Sequence, residues 1–138
     1  MSGNTAIVLG ATGQVGSLLV SQLLQDPYYE NVRVLVRRAY DRLDPKLESR
    51  LVNFKHLPSL KAALGNGHTL FCCIGTTMKL VKGDKVLYRE IDLDIPVHSG
   101  ELGYENGIRQ CVLVSAVGAD PRSRNFYLRS WPPVFDHP

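Results

Sequence analysis

An α/β fold built on a doubly wound parallel sheet of about five strands is predicted by three features of this 138-residue chain. Apolar, β-branched runs recur along it, helical patterns alternate with those runs, and the first run breaks into glycines that open directly into a helix. Parallel strands need this alternation, because each must return to the same end of the sheet through a crossover that is usually helical. The length predicts one domain, able to bury roughly two thirds of its unfolded surface.

The first strand, near 5–10, is Thr5-Ala6-Ile7-Val8-Leu9-Gly10, and it continues as Ala11-Thr12-Gly13-Gln14-Val15-Gly16 with its three glycines spaced three apart. In such a turn Gly10 lets the chain leave the strand sharply, and Gly13 lets backbone N–H groups approach a pyrophosphate. Gly16 lets the new helix lie close to the sheet. The phosphates then sit at the helix N-terminus, where unpaired N–H groups and the macrodipole favour negative charge. A tight turn without a ligand is the alternative. The flanks favour a dinucleotide, since a strand precedes the turn and Val15, Leu18, Leu19 and Leu23 follow at helical spacing. That helix is expected over 14–25, stopped by Asp26-Pro27.

A second strand near 32–37 ends in Val36-Arg37-Arg38. An acidic residue there would accept hydrogen bonds from a ribose 2′-hydroxyl, whereas arginine complements a 2′-phosphate with charge and several donors. Arg37 and Arg38 therefore point to NADP(H) rather than NAD(H). A third strand is expected near 50–54, with Asn53 a candidate neighbour of the adenine, and a short helix over 58–64, opened by Pro58-Ser59 and closed by Gly65. The fourth strand, near 68–74, runs out through Cys72-Cys73-Ile74-Gly75-Thr76-Thr77. Ligands of open α/β sheets bind beyond the carboxyl ends of strands, which assigns Gly75 and Thr76 to the cofactor. Adjacent residues on a strand face opposite ways, so of Cys72 and Cys73 one approaches the cleft and the other joins the core. The connection 84–106 reads as mostly helical, kinked or divided at Pro96. Its acidic residues Glu90, Asp92 and Asp94 read as a solvated face, and no metal site is expected. A fifth strand falls near 109–116.

Composition is that of an ordinary globular domain, 44% hydrophobic and 21% charged, and the net charge of +3 is spread along the chain in a way that does not call for nucleic acid. The three cysteines, Cys72, Cys73 and Cys111, are odd in number and sit in apolar runs, as buried reduced thiols do. The N-terminus lacks the charged and apolar regions of a signal peptide, and no apolar run is long enough for a membrane span. A soluble, cytoplasmic protein is expected.

The turn over 10–16, the strand end over 72–77, and Val114-Ser115-Ala116-Val117-Gly118-Ala119-Asp120 followed by Asn125-Phe126-Tyr127-Leu128 together resemble the atypical short-chain dehydrogenase/reductases. The resemblance is strongest to their Tat-interactive-protein-like oxidoreductases. It spans roughly 4–129 and leaves 130–138 as a proline-rich irregular tail. It implies a Rossmann-like sheet of strand order 3-2-1-4-5, NADP(H) as cofactor, and protein partners in transcriptional regulation and nuclear import, hence a nuclear pool beside the cytoplasmic one. It also implies that Ser115 orients a substrate carbonyl while Tyr127 exchanges a proton with its oxygen. The family's pattern places a lysine four residues beyond that tyrosine, and Trp131 stands there instead.

A tyrosine titrates near pH ~10, so bringing Tyr127 to neutral pH takes roughly 4 kcal/mol of differential stabilisation, and tryptophan has no charge to supply it. Pro132 and Pro133 stop any helix, and the helix and strands that follow in the family do not appear. The fifth strand is then left as an apolar edge open to association with another chain, as in a C-terminally truncated product. Three functions are consistent with this reading: an NADP(H)-binding module acting through protein partners, a working NADPH-dependent carbonyl reductase, and a fragment without independent function.

Overall fold

The computed structural model describes residues 3–74 and 94–113, and in them every strand runs parallel to its neighbours. In chain order the elements are β1 (Asn4–Leu9), α1 (Gln14–Gln25), β2 (Tyr29–Val36), β3 (Leu47–Leu51), α2 (Leu57–Leu64), β4 (Thr69–Cys72), α3 (Ile95–Glu105) and β5 (Gln110–Leu113). The five strands lie in the order β3-β2-β1-β4-β5, the predicted one. β1 is central, and its alternation divides the core in two. Ala6 and Val8 pack with Val32, Val34 and Val36 beneath Val20 and Leu23 of α1. Ile7 and Leu9 pack on the other face with Leu35, Leu70 and Cys72 beneath Leu60 and Leu64 of α2, with Leu102 of α3 against the same cluster. These four of the six β1 side chains are fully buried, as expected for a strand covered by helices on both faces.

Three expectations are corrected. The third strand is β3 at 47–51, three residues before its predicted start, and it pairs from Val32↔Leu47 to Val36↔Leu51. As an edge strand it exposes Glu48, Ser49 and Leu51, so its polar residues hid it from a search for apolar runs. The inward face of α1 is Gly16, Val20 and Leu23, whereas Val15 and Leu18 are 51% and 68% exposed. Gly16 must face the turn behind it, and this sets the rotation of the whole helix. Cys111, expected to be buried, lies exposed on β5. Pro96 lies in the first turn of α3, where its missing N–H costs nothing.

Both ends of α2 and the C-terminus of α1 are closed by side chains. His56 Nδ1 accepts from Ser59 N at the start of α2. At its other end, Arg33 donates to Leu64 O (2.8 Å), Arg50 to Ala63 O (3.1 Å), and Asn106 Nδ2 to both Lys61 O and Gly65 O. These donors satisfy carbonyls that a helix C-terminus leaves unpaired, and they bring positive charge to its negative pole. Lys46 serves α1 in the same way, reaching Leu23 O and Asp26 O. Glu48 holds the two arginines in place, at 3.0 Å from Arg33 Nε and 2.8 Å from Arg50 Nε.

Partial burial acts to raise the Glu48 carboxyl, but the hydrogen bonds and charges of Arg50 and then Arg33 outweigh it and hold the group below its ordinary value. A carboxylate with a lowered folded pKa contributes stability above its unfolded pKa and loses it as pH falls through the folded one. Glu48→Gln should therefore lower stability at neutral pH by no more than about 1 kcal/mol, the carboxylate being half exposed. In thermal melts the gap between variant and parent should narrow as pH is taken below the carboxylate range. A gap that stays constant with pH would assign the loss to packing.

Candidate functional site

At the carboxyl end of the sheet, β1, β2 and β4 run out around a cleft of about 580 Å³. Its floor and one side are Gly10, Ala11, Thr12 and Gly13 from the turn after β1. Leu35, Val36, Arg37, Arg38 and Ala39 come from the end of β2. Phe54, Cys73, Ile74 and Ile95 make up the rest of its lining among the described residues. The cleft lies where the chain's crossovers diverge from β1, to β2 on one side and β4 on the other, which is the topological switch point of this sheet.

Each glycine of the turn has its own physical reason. Gly10 has φ +80°, and a Cβ there would come within 2.6 Å of the Cys73 carbonyl carbon, so β4 passes too close for any side chain. A Cβ on Gly16 would fall on the carbonyl oxygen of Gly10, so that α1 can start against the strand end only at a glycine. Gly13 differs from both. Its backbone is extended, at φ −78° and ψ 175°, and an added Cβ would meet only Gly10 O at an ordinary 3.6 Å. Among the described residues nothing fills the space above it. Gly13 is also the N-cap of α1 and offers no side chain to the helix, so the N–H groups of Gln14, Val15 and Gly16 are left without intrahelical acceptors. An uncapped N-terminus under open space fits a pyrophosphate. α3 likewise begins without a side-chain cap, at Asp94, with Ile95 in the cleft wall.

Arg37 and Arg38 are exposed at the cleft rim, and no carboxylate among the described residues pairs with either. Gln14 and Val15 form the first turn of α1, and Gly16 lies buried behind it. Asn53 is exposed and occupied in an Asx turn, its Oδ1 accepting from Lys55 N at 3.0 Å, and Phe54 rather than Asn53 lines the cleft. Gly75, Thr76, Ser115, Tyr127 and Trp131 lie outside the described residues. Of the two adjacent cysteines, Cys72 is in the core and Cys73 lines the cleft, where burial pushes its thiol above the ordinary value and so keeps it protonated. Phe54 and Ile95 went unread in the sequence because each is an ordinary apolar residue brought in from a distant element.

Gly16→Ala should destabilise the protein by about 1–3 kcal/mol or more, since a backbone carbonyl must move to admit the methyl group. Gly13→Ala should leave the melting temperature nearly unchanged. Equal losses from the two substitutions would mean that the turn is not packed as described.

The profile of a family described as NAD(P)H-binding matches residues 10–137. Protein HTATIP2 of Rattus norvegicus is 28% identical over 136 residues, covering 94% of this chain and 54% of the relative. The mitochondrial protein FMP52 of Candida glabrata is 32% identical over 131 residues, with the same coverage of each. The chain thus spans about half the length of the curated relatives it matches. Among solved structures, Pen from Bacillus thuringiensis superposes with a TM-score of 0.80 at 15% identity, over 94% of this chain and 43% of that one. A mutant uronate dehydrogenase from Agrobacterium tumefaciens, complexed with NAD, gives 0.69 at 16% identity, over 86% and 43%. These likenesses show the Rossmann-like fold. With the family profile covering every described lining residue of the cleft and extending almost to the C-terminus, the chain belongs to the NAD(P)H-binding family.

Proposed function

We propose that this chain is an NADP(H)-binding module that prefers the phosphorylated cofactor, does not turn it over by itself, and acts through protein partners. The carrying observation is the pair of arginines at the end of β2, unpaired among the described residues, on the rim of the cleft that Gly13 floors. Two guanidinium groups offer charge and bidentate donors to a 2′-phosphate, whereas a bare ribose hydroxyl gives them nothing to neutralise. Bound there, NADPH would bring a hydride that a competent active site could transfer. The chain's own contribution is an apolar wall of Leu35, Phe54, Ile74 and Ile95, N–H groups at the start of α1 that have no acceptor among the described residues, and a cationic rim.

The absence of turnover follows from Trp131, which cannot lower the pKa of Tyr127 as the family's lysine does. The partner-mediated role rests on the resemblance to the Tat-interactive-protein-like oxidoreductases. A second reading, a working carbonyl reductase, is favoured by the spacing of Ser115 and Tyr127. In it Ser115 holds the carbonyl and Tyr127 donates the proton.

Calorimetric titration with NADPH and NADH separates these readings at the first step. NADPH should bind at least about tenfold more tightly, and Arg37→Ser with Arg38→Ser should remove most of that ratio, as expected for lost charge-assisted bonds. Equal affinities would overturn the preference. Gly13→Asp should abolish binding while holding or raising the melting temperature. Aspartate is a favoured N-cap, and it would claim the N–H groups that the phosphates need while adding a negative charge against them. Steady oxidation of NADPH by the parent chain with a carbonyl substrate would establish the reductase reading. If the parent shows none, its appearance in Trp131→Lys would confirm that the lysine is what catalysis lacks.

A further inference from the structure

Two Asn-Gly pairs, Asn66-Gly67 and Asn106-Gly107, meet at the end of the sheet opposite the cleft, in the turns that lead into β4 and β5. Asn106 Nδ2 donates to Gly65 O at 3.0 Å, and a side chain on Gly107 would come within 3.5 Å of Asn66 Oδ1. The fold favours glycine at both second positions. A Cβ on Gly67 would press to 2.8 Å from Ile7 Cδ1, and Gly107 has φ +95°. A glycine after asparagine leaves its nitrogen unhindered for attack on the side-chain amide. The chemistry is therefore restrained only by what else holds each asparagine.

The two pairs differ in this. At Asn106 the amide nitrogen, which must leave, donates to Lys61 O and Gly65 O, both at 3.0 Å. The attacking nitrogen of Gly107 is bonded to Tyr104 O at 3.0 Å. At Asn66 the Gly67 nitrogen lies 2.8 Å from Oδ1, the oxygen on the carbon it must attack. Among the described residues neither that nitrogen nor the Asn66 amide nitrogen has another hydrogen-bond acceptor. Asn66 is exposed and lines an open hollow with Lys61 and Asn106, so water and base reach it.

We infer that Asn66 is a site of spontaneous covalent modification and that Asn106 is its protected twin. The Gly67 nitrogen gives its proton to base and forms a bond to Asn66 Cγ. The Cγ–Nδ2 bond breaks, and ammonia departs with the proton returned. Water then opens the resulting succinimide at either carbonyl, giving aspartate or isoaspartate, so the net change is amide plus water to carboxylic acid plus ammonia. The new carboxylate arises beside Arg33, whose Nη1 donates to the Asn66 carbonyl oxygen at 3.0 Å. The isoaspartyl form adds a carbon to the main chain of the same turn. The change loosens the closure at the C-terminus of α2 and leaves the cofactor cleft, at the other end of the strands, untouched.

The test is to hold the folded chain at mildly alkaline pH and follow both peptides by digestion and mass spectrometry, beside synthetic peptides spanning each pair. In the folded chain Asn66 should convert about tenfold or more faster than Asn106, since at Asn106 three hydrogen bonds must break first. The free peptides should react alike, and Asn66→Gln should lose the signal while melting as the parent does. Equal rates at the two sites in the folded chain, or faster conversion at Asn106, would overturn the inference. So would protection of Asn66, relative to its peptide, as strong as that of Asn106.

Discussion

β1 has no side left for water. With Ala6, Ile7, Val8 and Leu9 all fully buried and both of its edges hydrogen-bonded, to β2 and to β4, every other element is placed by the need to cover it. Helices must lie on both faces, so the chain after β1 turns to one face and the chain after β3 to the other. Both crossovers begin at the carboxyl end of the strands, and the gap where they part is the cleft. The glycine turn follows from the same constraint, because a strand this enclosed can be left only by backbone that slips beneath the Cys73 carbonyl and past the start of α1.

The helix ends show how the site is kept open. At their C-termini α1 and α2 are closed by cations and amides, Lys46 for the one and Arg33, Arg50 and Asn106 for the other. At its N-terminus α2 takes its cap from His56. The N-termini of α1 and α3, both at the cleft, receive no side-chain cap. Among the described residues the protein thus satisfies the poles that serve only stability and leaves available those that face the cleft. This division is a property of the turn's sequence, since a serine or aspartate in place of Gly13 would have closed α1 as well.

How much could be read from the sequence follows burial. β1 and the turn after it were legible because a strand enclosed on both faces must be written as an unbroken apolar run, and because a glycine with φ +80° has no substitute. β3 was misplaced because an edge strand is half wet, and Leu-Glu-Ser-Arg-Leu carries neither a run nor a strict alternation. The phase of α1 was misread because its largest apolar residue near the turn, Leu18, faces solvent, while the residue that sets the phase is a glycine. In the site, Gly10, Thr12, Gly13, Arg37 and Arg38 come from contiguous motifs and line the cleft as a group. Phe54 and Ile95 carry no local mark, since their role arises only when β3, α3 and β1 are assembled. His56 was unread as a cap because histidine serves this role through a ring nitrogen rather than through the oxygen that capping patterns seek.

The parallel pairing of β1 has a consequence for how the chain is made. One edge of β1 finds β2 soon after α1 has formed, but the other edge pairs with Thr69 through Cys72, which emerge only after β2, β3 and α2. Until then the most apolar strand of the protein carries a bare ladder of N–H and C=O groups, with Ile7 and Leu9 uncovered on the α2 side. Late closure of a central parallel strand is slow, because a long loop must be ordered before its contacts form. A nascent chain stalled in that interval presents an unpaired apolar edge, so the strand that makes the finished fold robust is also where the unfinished one is most prone to aggregate.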